Sequence, residues 1–340
     1  MINLIKNFVI VIFLSFYSLP LWAFTSSSFL VSQSAFKNYD YFVSINNLNE
    51  SDLSLSYSSL LDKLIAATIT EKINLAYKIA DELLKYEKDN QEAYIVKLVF
   101  YHKNKKYNQI NQLHNDFKNK NELIDFIFFN NNKIKNNQSI SEALIDIVVS
   151  SFSNAEQRNL NYNFLLFYTS LGQIIDPKND RAKIIKGELY QNIKKPLYAR
   201  ESFENINKGS PYYLEAQQSL AYNYSSYLSF EDAENKLFEL LENTNNNYFI
   251  KKIFADFYRY EKKYDLAKNF YNEMIKENNS DLSNLYYMRG ICYERLGDWK
   301  NAEKDFISSL NINPSSPNVL NYLAYGWVDR DMHLEKSLDM

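Results

Sequence analysis

The sequence predicts an all-α fold built from antiparallel helix pairs, and two observations support this prediction. Only 6 Gly and 6 Pro occur among the 340 residues, so helices joined by short loops are favoured over many short strands with tight turns. The second observation is self-similarity at a spacing of about 34 residues, which is typical of stacked helical repeats. Such copies bury their apolar faces against one another, because a single helix pair cannot bury its own.

The composition also argues against several classes of function. With 38 basic and 41 acidic side chains the net charge is −3, so the chain lacks the basic field that nucleic-acid binding needs. Scarce glycine argues against the glycine-rich loops that hold nucleotide phosphates. The single cysteine, Cys292, excludes an intrachain disulfide and every zinc site that needs several cysteine ligands.

Residues 1–23 have the layout of a secretory signal peptide. Lys6 precedes an uncharged apolar run from Phe8, and a small residue follows at Ala23, after which we expect cleavage. The run is shorter than the ~20 residues of a membrane-spanning helix. We therefore expect a periplasmic protein; the alternative is an uncleaved segment that anchors the chain in the inner membrane, facing the periplasm. Residues 24–54 are expected to form an irregular lead-in or a degenerate half-repeat.

Residues 55–118 are predicted to form the N-terminal helix pairs, because Ala76 and Ile110 occupy equivalent positions about 34 residues apart. Beyond Ile110 the spacing to the next unit is too short for a full repeat. We therefore expect a degenerate helix and an Asn-rich loop over 119–140, acting as a hinge between two sub-arrays. Residues 141–340 are predicted to form the C-terminal array. Its last repeat stops within its second helix, which favours truncation of a longer reading frame.

The best-preserved unit spans residues 283–316. It combines a small residue, an aromatic residue, a turn, a second aromatic, a second small residue, a third aromatic and a closing proline. In order these are Gly290, Tyr293, Gly297, Trp299, Ala302, Phe306 and Pro314. This pattern closely resembles the tetratricopeptide repeat. The resemblance implies a right-handed superhelix of antiparallel helix pairs.

Three earlier units repeat these positions in register. They contain Gly187, Tyr190, Ala199, Phe203 and Pro211, then Ala221, Tyr224 and Ala233, then Ala255, Tyr258, Tyr264 and Ala267. Small residues let two helix backbones approach, and proline ends the second helix because its ring cannot continue it. Near the C-terminus the segment NYLAYGWVDR also resembles a stretch of exported proteobacterial tetratricopeptide proteins.

The sequence presents no recognisable pattern for catalysis, a cofactor or a metal ion. His102, His114 and His333 lack the spacing of metal ligands and are expected to be solvated helix residues. Cys292 lies beside core positions and is expected to pack as a small hydrophobic side chain. We therefore predict a protein that is not an enzyme and uses no cofactor.

The resemblance implies that a protein or peptide binds in the concave groove lined by the first helix of each pair. The predicted groove residues combine amides, tyrosines and mixed charges, which suit adaptable contacts with aromatic anchors. They are Gln218, Tyr222, Lys252, Asp256, Arg259, Tyr287, Glu294, Asn318, Asn321 and Tyr325. Asp256 stands where carboxylate-clamping relatives have Asn, so no carboxylate clamp is expected. The simpler alternative is that this face is only the exposed side of the array.

These observations favour a non-catalytic scaffold or adaptor of the bacterial cell envelope. The expected partner is an envelope protein or peptide, with no nucleic acid and no metal. A membrane is a partner only if residues 1–23 stay uncleaved. Two alternatives stay open: the repeats target a longer enzyme whose catalytic part follows Met340, or the Tyr-rich groove binds a glycan.

Overall fold

Helices account for most of the chain that the structure describes. The computed structural model describes residues 30–47, 57–117, 122–131, 133–154, 160–277 and 281–338. The predicted signal peptide lies outside these ranges. Contacts between Cα atoms divide the chain into two compact units, Met1–Asn205 (unit 1) and Ile206–Met340 (unit 2).

Unit 1 contains helices and, in its described part, a short antiparallel hairpin. Residues 30–37 form α1. The other elements are α2 Tyr41–Asn46, α3 Tyr57–Ile69, α4 Ile73–Tyr86, α5 Gln91–Lys103, α6 Tyr107–Phe117, α7 Glu122–Phe128, β1 Phe129–Asn130, β2 Lys133–Ile134, α8 Asn137–Asn154, α9 Tyr162–Ile175, α10 Asp180–Asn192 and α11 Pro196–Glu204.

Unit 2 consists of successive helix pairs, and we call the first helix of each pair the A helix and the second the B helix. The A helices are α12 Tyr213–Tyr227, α14 Tyr248–Tyr260, α16 Leu282–Arg295 and α18 Pro317–Val328. Each is followed by its B helix: α13 Phe230–Asn243, α15 Tyr264–Lys276, α17 Trp299–Ile312 and α19 Leu334–Leu338. Each A helix packs against its own B helix across a short turn, which confirms the predicted all-α fold of antiparallel pairs.

Small residues of the A helices lie against aromatic residues of the B helices, as the repeat pattern predicts. A Cβ on Gly290 would come within 2.7 Å of the Phe306 ring, so only glycine allows this approach of α16 to α17. Phe306 and Ala302 are fully buried at the contact. Gly187 meets Phe203 in the same way in the pair α10–α11 of unit 1. These contacts give the signature residues a steric role in pairing the helices.

Several of the turns between paired helices place one residue in the left-handed region of backbone space. Gly297 has φ +80° between α16 and α17, and Lys262 has φ +59° between α14 and α15. Lys194 and Glu71 occupy the same conformation in unit 1, at φ +58° each. Glycine adopts this conformation without cost, whereas a side chain makes it less favourable. These four turns therefore adopt the same left-handed conformation whether the residue is glycine or carries a side chain.

The predicted Asn-rich loop is partly wrong, because the chain forms a hairpin after α7. Strand β1 pairs antiparallel with β2, with Phe129 opposite Ile134 and Asn130 opposite Lys133. The predicted degenerate helix is present as α7. Four residues pair in the hairpin, and so short a ladder leaves no repeating hydrophobic pattern from which a strand can be predicted.

The expectation that the histidines are solvated is wrong for two of them. His102 and His114 are both buried. The Nε2 atom of His102 donates a hydrogen bond to the Lys135 carbonyl oxygen at 3.1 Å. The His114 ring stacks on Phe129 with centroids 3.8 Å apart, and its Nε2 lies 2.6 Å from Asp125 Oδ1. Asp125 of α7, Phe129 of β1 and Lys135 after β2 are the residues that contact these two side chains.

The predicted hinge at 119–140 does not coincide with the division of the chain. Helix α9, which follows this segment, packs against α3 and α5, which precede it, so unit 1 is continuous across it. The division falls instead between Asn205 and Ile206. Among the described helices, none has the length and apolar character that crossing a lipid bilayer requires.

Candidate interaction face

Aromatic side chains protrude from the A helices of unit 2. Tyr222 on α12 and Tyr325 on α18 occupy equivalent repeat positions and are 57% and 77% exposed. Phe249 and Tyr260 on α14 are 58% and 73% exposed. Tyr287 on α16 is half-buried. We call these five residues the aromatic face, because each A helix contributes at least one of them.

Phe249 and Tyr260 were not among the predicted groove residues. They lie seven residues before and four residues after Asp256 in α14, spacings that return to one side of an α-helix. Asp256 in turn occupies the repeat position of Tyr222 and Tyr325. Both residues could therefore have been predicted as groove residues by applying helical spacing to Asp256.

The side chain of Lys252 forms an ion pair within its own chain. Its Nζ lies 2.5 Å from Oδ2 of Asp281, the residue before α16. The same carboxylate oxygen accepts hydrogen bonds from Tyr248 at 3.3 Å and Asn284 at 3.2 Å. Burial opposes ionisation of Asp281, but the hydrogen bonds from Lys252 and Asn284 outweigh it, and the pKa of the carboxyl is lowered. Lys252 therefore joins α14 to the start of α16.

Asp256 and Arg259 form hydrogen bonds with each other and with a neighbouring side chain, while Arg259 Nε is buried without a hydrogen-bond partner. Asp256 Oδ1 accepts hydrogen bonds from the Tyr271 hydroxyl at 2.6 Å and from Arg259 at 3.3 Å. The Arg259 guanidinium lies 4.4 Å from the centre of the Tyr260 ring. Burial and the adjacent Asp256 carboxylate raise the pKa of Tyr271 well above its usual range. These side chains form a local network within the pair α14–α15.

The far end of the face contains a cavity of about 350 Å³, within the range of small ligand sites. Three predicted groove residues, Glu294, Asn321 and Tyr325, line it. The rest of the lining is Arg295, Trp299, Tyr322, Gly326, Asp329 and Arg330. The structure thus brings together predicted residues from α16 and α18 around one cavity.

The walls of this cavity combine aromatic and charged side chains that contact one another. The Arg330 guanidinium lies 4.3 Å from the centre of the Trp299 ring system. Arg295 donates a hydrogen bond to the Tyr322 hydroxyl at 3.3 Å. Within the described chain, Trp299 Nε1 and Glu294 Oε2 are buried without a hydrogen-bond partner. Trp299 Nε1 therefore retains hydrogen-bonding capacity that the described chain does not use, whereas Glu294 Oε2 lies 3.4 Å from Arg295 Nε in an ion pair.

The remaining predicted residues lie along the same helices. Asn318 is exposed at the start of α18 and Gln218 is half-buried on α12. The Tyr287 ring meets that of Tyr322 edge to face, with centroids 5.8 Å apart. Gln218 and Tyr222 do not line the cavity.

Four cations on or next to this face each have a carboxylate partner with an N–O distance of 3.4 Å or less. The pairs are Lys252–Asp281 at 2.5 Å, Arg259–Asp256 at 3.3 Å, Arg295–Glu294 at 3.4 Å and Arg330–Asp329 at 3.4 Å. These eight groups sum to zero charge, so the site suits binding through aromatic and polar contacts.

Cys292 lies beneath this face and is fully buried, as expected. Burial raises the pKa of its thiol from 9.0 to about 12. The thiolate, which is the nucleophilic form, is therefore scarce near neutral pH. Among the described residues, no group of three or more His, Cys, Asp or Glu side chains is placed to hold a metal ion.

No protein-family model and no curated protein matches this chain. Among solved structures, that of the MamA protein has 18% identity and a TM-score of 0.41, covering 52% of this chain and 91% of its own. A tetratricopeptide repeat protein from Parabacteroides merdae has 15% identity and a TM-score of 0.39, covering 79% and 98%. The Cut9–Hcn1 hetero-tetramer of APC/C has 13% identity and a TM-score of 0.40, covering 87% and 54%. Similarity at this level says nothing about function, and the repeat assignment rests on the helix pairs and their packing.

Proposed function

We propose that this protein is a non-catalytic interaction module of the bacterial cell envelope. It binds a polypeptide segment of a partner protein across the A helices of unit 2. The exposed Tyr222 and Tyr325, at equivalent positions of two repeats, are the observation that carries the proposal. Exposed Tyr side chains offer large, rigid contact areas with a polar tip, and interfaces are enriched in them.

The cavity beside Tyr325 supports the same reading. It adjoins one end of the aromatic face and is lined by residues of two A helices and one B helix. A side chain of the bound segment enters this cavity while the neighbouring residues lie over the tyrosines. Anchoring of one side chain in a pocket, surrounded by weaker contacts, is how most interfaces gain their affinity.

The envelope location rests on residues 1–23 alone, as a signal peptide. Export is tested by fractionating Gram-negative cells that express the chain with and without these residues. Recovery of the full chain in the periplasmic fraction, and of the shortened chain in the cytoplasm, is the expected result. A cytoplasmic full-length chain would contradict the envelope assignment. Recovery in the inner membrane would favour the anchored form.

Partner binding is tested by photo-crosslinking in cells. Tyr222 and Tyr325 are replaced one at a time by a photo-crosslinking amino acid, and the products are identified by mass spectrometry. Tyr86 in unit 1, which is 59% exposed, is the matched control position. One protein crosslinked from both test positions and not from Tyr86 is expected. Equal capture from all three positions, or none from the first two in a folded protein, would contradict the proposal.

A further inference from the structure

We propose that a cleft in unit 1 binds a free α-amino acid with an apolar side chain. The proposal concerns unit 1 alone and does not depend on the function proposed for unit 2. The cleft consists of two adjoining cavities of about 230 and 330 Å³, which share Glu71, Gln173, Lys183 and Asn205 in their walls. Pockets for drug-sized ligands occupy about 300–1,000 Å³, so the smaller cavity suits a smaller molecule.

Tertiary packing builds the smaller cavity from segments that are distant in the sequence. Its lining residues come from α2, α3, α9, α10, α11 and the turn after α3. Two ion pairs connect the early segments to α10 and the turn that follows it. They are Glu71–Lys186, with an N–O distance of 3.1 Å, and Asp40–Lys195, at 2.6 Å. The walls of the cavity are therefore held together by specific contacts.

Lys186 contributes a buried positive charge to this cavity. Only 8% of its surface is exposed, and its Nζ donates a hydrogen bond to Glu71 Oε1 at 3.1 Å, the single acceptor that it has among the described residues. An ammonium group has three donors. Lys183 lines the same cavity and donates to Asp180 Oδ1 at 2.7 Å and to the Asn205 carbonyl oxygen at 3.0 Å. A ligand carboxylate can accept charge-assisted hydrogen bonds from these ammonium groups.

The same cavity contains acceptors for a cationic group. Gln173 Oε1 is buried and has no hydrogen-bond partner among the described residues, which costs free energy until a donor reaches it. Glu71 and Glu201 also line the cavity. A ligand ammonium group can donate to Gln173 Oε1 near these carboxylates. Because groups of both signs line one cavity, it suits a zwitterion better than a simple anion or cation.

An apolar part of the cavity lies beside these charges. Phe42, Ile69, Tyr190 and Tyr198 contribute to its lining. The rings of Phe42 and Tyr198 stack with centroids 6.0 Å apart, and the Tyr190 ring lies 5.2 Å from that of Tyr198. Phe42 is 46% exposed. An apolar ligand side chain would cover part of this exposed surface, which favours binding.

The neutral polar groups of the cavity favour an amino acid over a sugar. The side chains of Thr70, Ser202 and Asn205 donate hydrogen bonds to backbone carbonyl groups of preceding residues, at 2.8–2.9 Å. These donors are therefore already in use. A sugar needs polar contacts around its whole ring, whereas an amino acid needs them at its two charged groups alone.

Isothermal titration calorimetry of the full chain with L-phenylalanine and L-leucine tests the proposal. We expect both to bind. Glycine, 3-phenylpropionate and phenethylamine lack the side chain, the amino group and the carboxylate, and each should bind at least about tenfold more weakly than L-phenylalanine. Equal affinity for 3-phenylpropionate would overturn the assignment to a zwitterion. Failure of both amino acids to bind would overturn the proposal.

Two variants test whether binding occurs in this cleft. Gln173→Leu removes the buried acceptor, so it should weaken L-phenylalanine binding about fivefold without loss of stability. Lys186→Met should weaken it about tenfold or more. Lys251→Met is the matched control, because Lys251 is 6% exposed and pairs with Glu277 at 2.6 Å in unit 2, and it should leave binding unchanged. Wild-type affinity in both cleft variants, with folding verified by circular dichroism, would overturn the assignment to the cleft.

Discussion

The indole ring of Trp299 occupies the space in which a Cβ atom of residue 326 would lie, so α18 can pack on the start of α17 only because that residue is Gly326. Both residues line the cavity next to Tyr325. It joins the pair α16–α17 to the last A helix of unit 2. The repeat pattern does not single out Gly326, because the residue 34 positions after Gly290, where the pattern expects a small side chain, is Ala324.

Gly326→Ala is expected to destabilise the protein by about 1–3 kcal/mol, because the added methyl group overlaps the Trp299 ring. Urea-induced unfolding followed by circular dichroism measures the change. Gly209→Ala is the matched control, since a Cβ there would meet no atom within 4 Å, and it should change stability by less than about 0.5 kcal/mol. Equal effects of the two substitutions would show that the Trp299 contact is not restrictive.

Lys262→Gly is expected to stabilise unit 2 by about 0.5–1 kcal/mol. Lys262 is left-handed, with φ +59°, a conformation that costs a non-glycine residue about 1–2 kcal/mol, and the greater freedom of glycine in the unfolded chain offsets part of the gain. Gly297→Ala, at φ +80°, should have the opposite sign. Urea midpoints at an unchanged slope measure both changes. Destabilisation by Lys262→Gly would contradict the reading of this turn.

Cys292 is expected to make stability fall at alkaline pH. Burial raises the pKa of its thiol from 9.0 to about 12, so the protonated form is favoured by folding. This contribution is complete below pH 9 and is lost as the pH rises toward 12, at a slope of up to about 1.4 kcal/mol per pH unit. Cys292→Ala should show a shallower fall over the same interval, since buried tyrosines still contribute. Identical slopes would exclude the thiol as a source.

Asp281 is expected to contribute stability at neutral pH that is lost in acid. Its pKa is lowered in the folded chain, where burial is outweighed by hydrogen bonds from Lys252 and Asn284. Ionisation therefore favours folding above the unfolded pKa, and the contribution disappears as the pH falls through the folded value. Asp281→Asn should be less stable at pH 7 and less sensitive to acid. A variant with wild-type acid sensitivity would contradict this assignment.

The helix pairs could be predicted because their determinants are local and recur. Gly290 and Phe306 lie on the two paired helices of one repeat, and the same contact is made by Gly187 and Phe203 in an earlier repeat. A constraint that returns about every 34 residues is visible in one sequence. The hairpin at 129–134 is not repeated. Because the hairpin occurs once, no periodic pattern in the sequence predicts it. The stacking of His114 on Phe129 likewise depends on tertiary packing rather than on local sequence.

The candidate face was predictable in position and less so in chemistry. Repeat position placed Tyr222 and Tyr325 among the groove candidates and both are exposed, whereas Ile291 at the same repeat position of α16 is buried. The engagement of Lys252 depends on Asp281, a residue of the following loop whose orientation the repeat pattern does not specify. The resemblance therefore indicates which helix faces are available. It does not indicate which charged groups on them are already paired, and the binding role of the face stays a prediction.

The mutual neutralisation of charges on the aromatic face has a kinetic consequence. Opposite charges only a few ångströms apart cancel at a distance, so a partner approaching this surface feels little long-range attraction or repulsion. Association should then proceed at the unassisted rate of about 10⁵–10⁶ M⁻¹s⁻¹. It should also change little with ionic strength. Recognition on this face would be decided after first contact, by how long the partner stays.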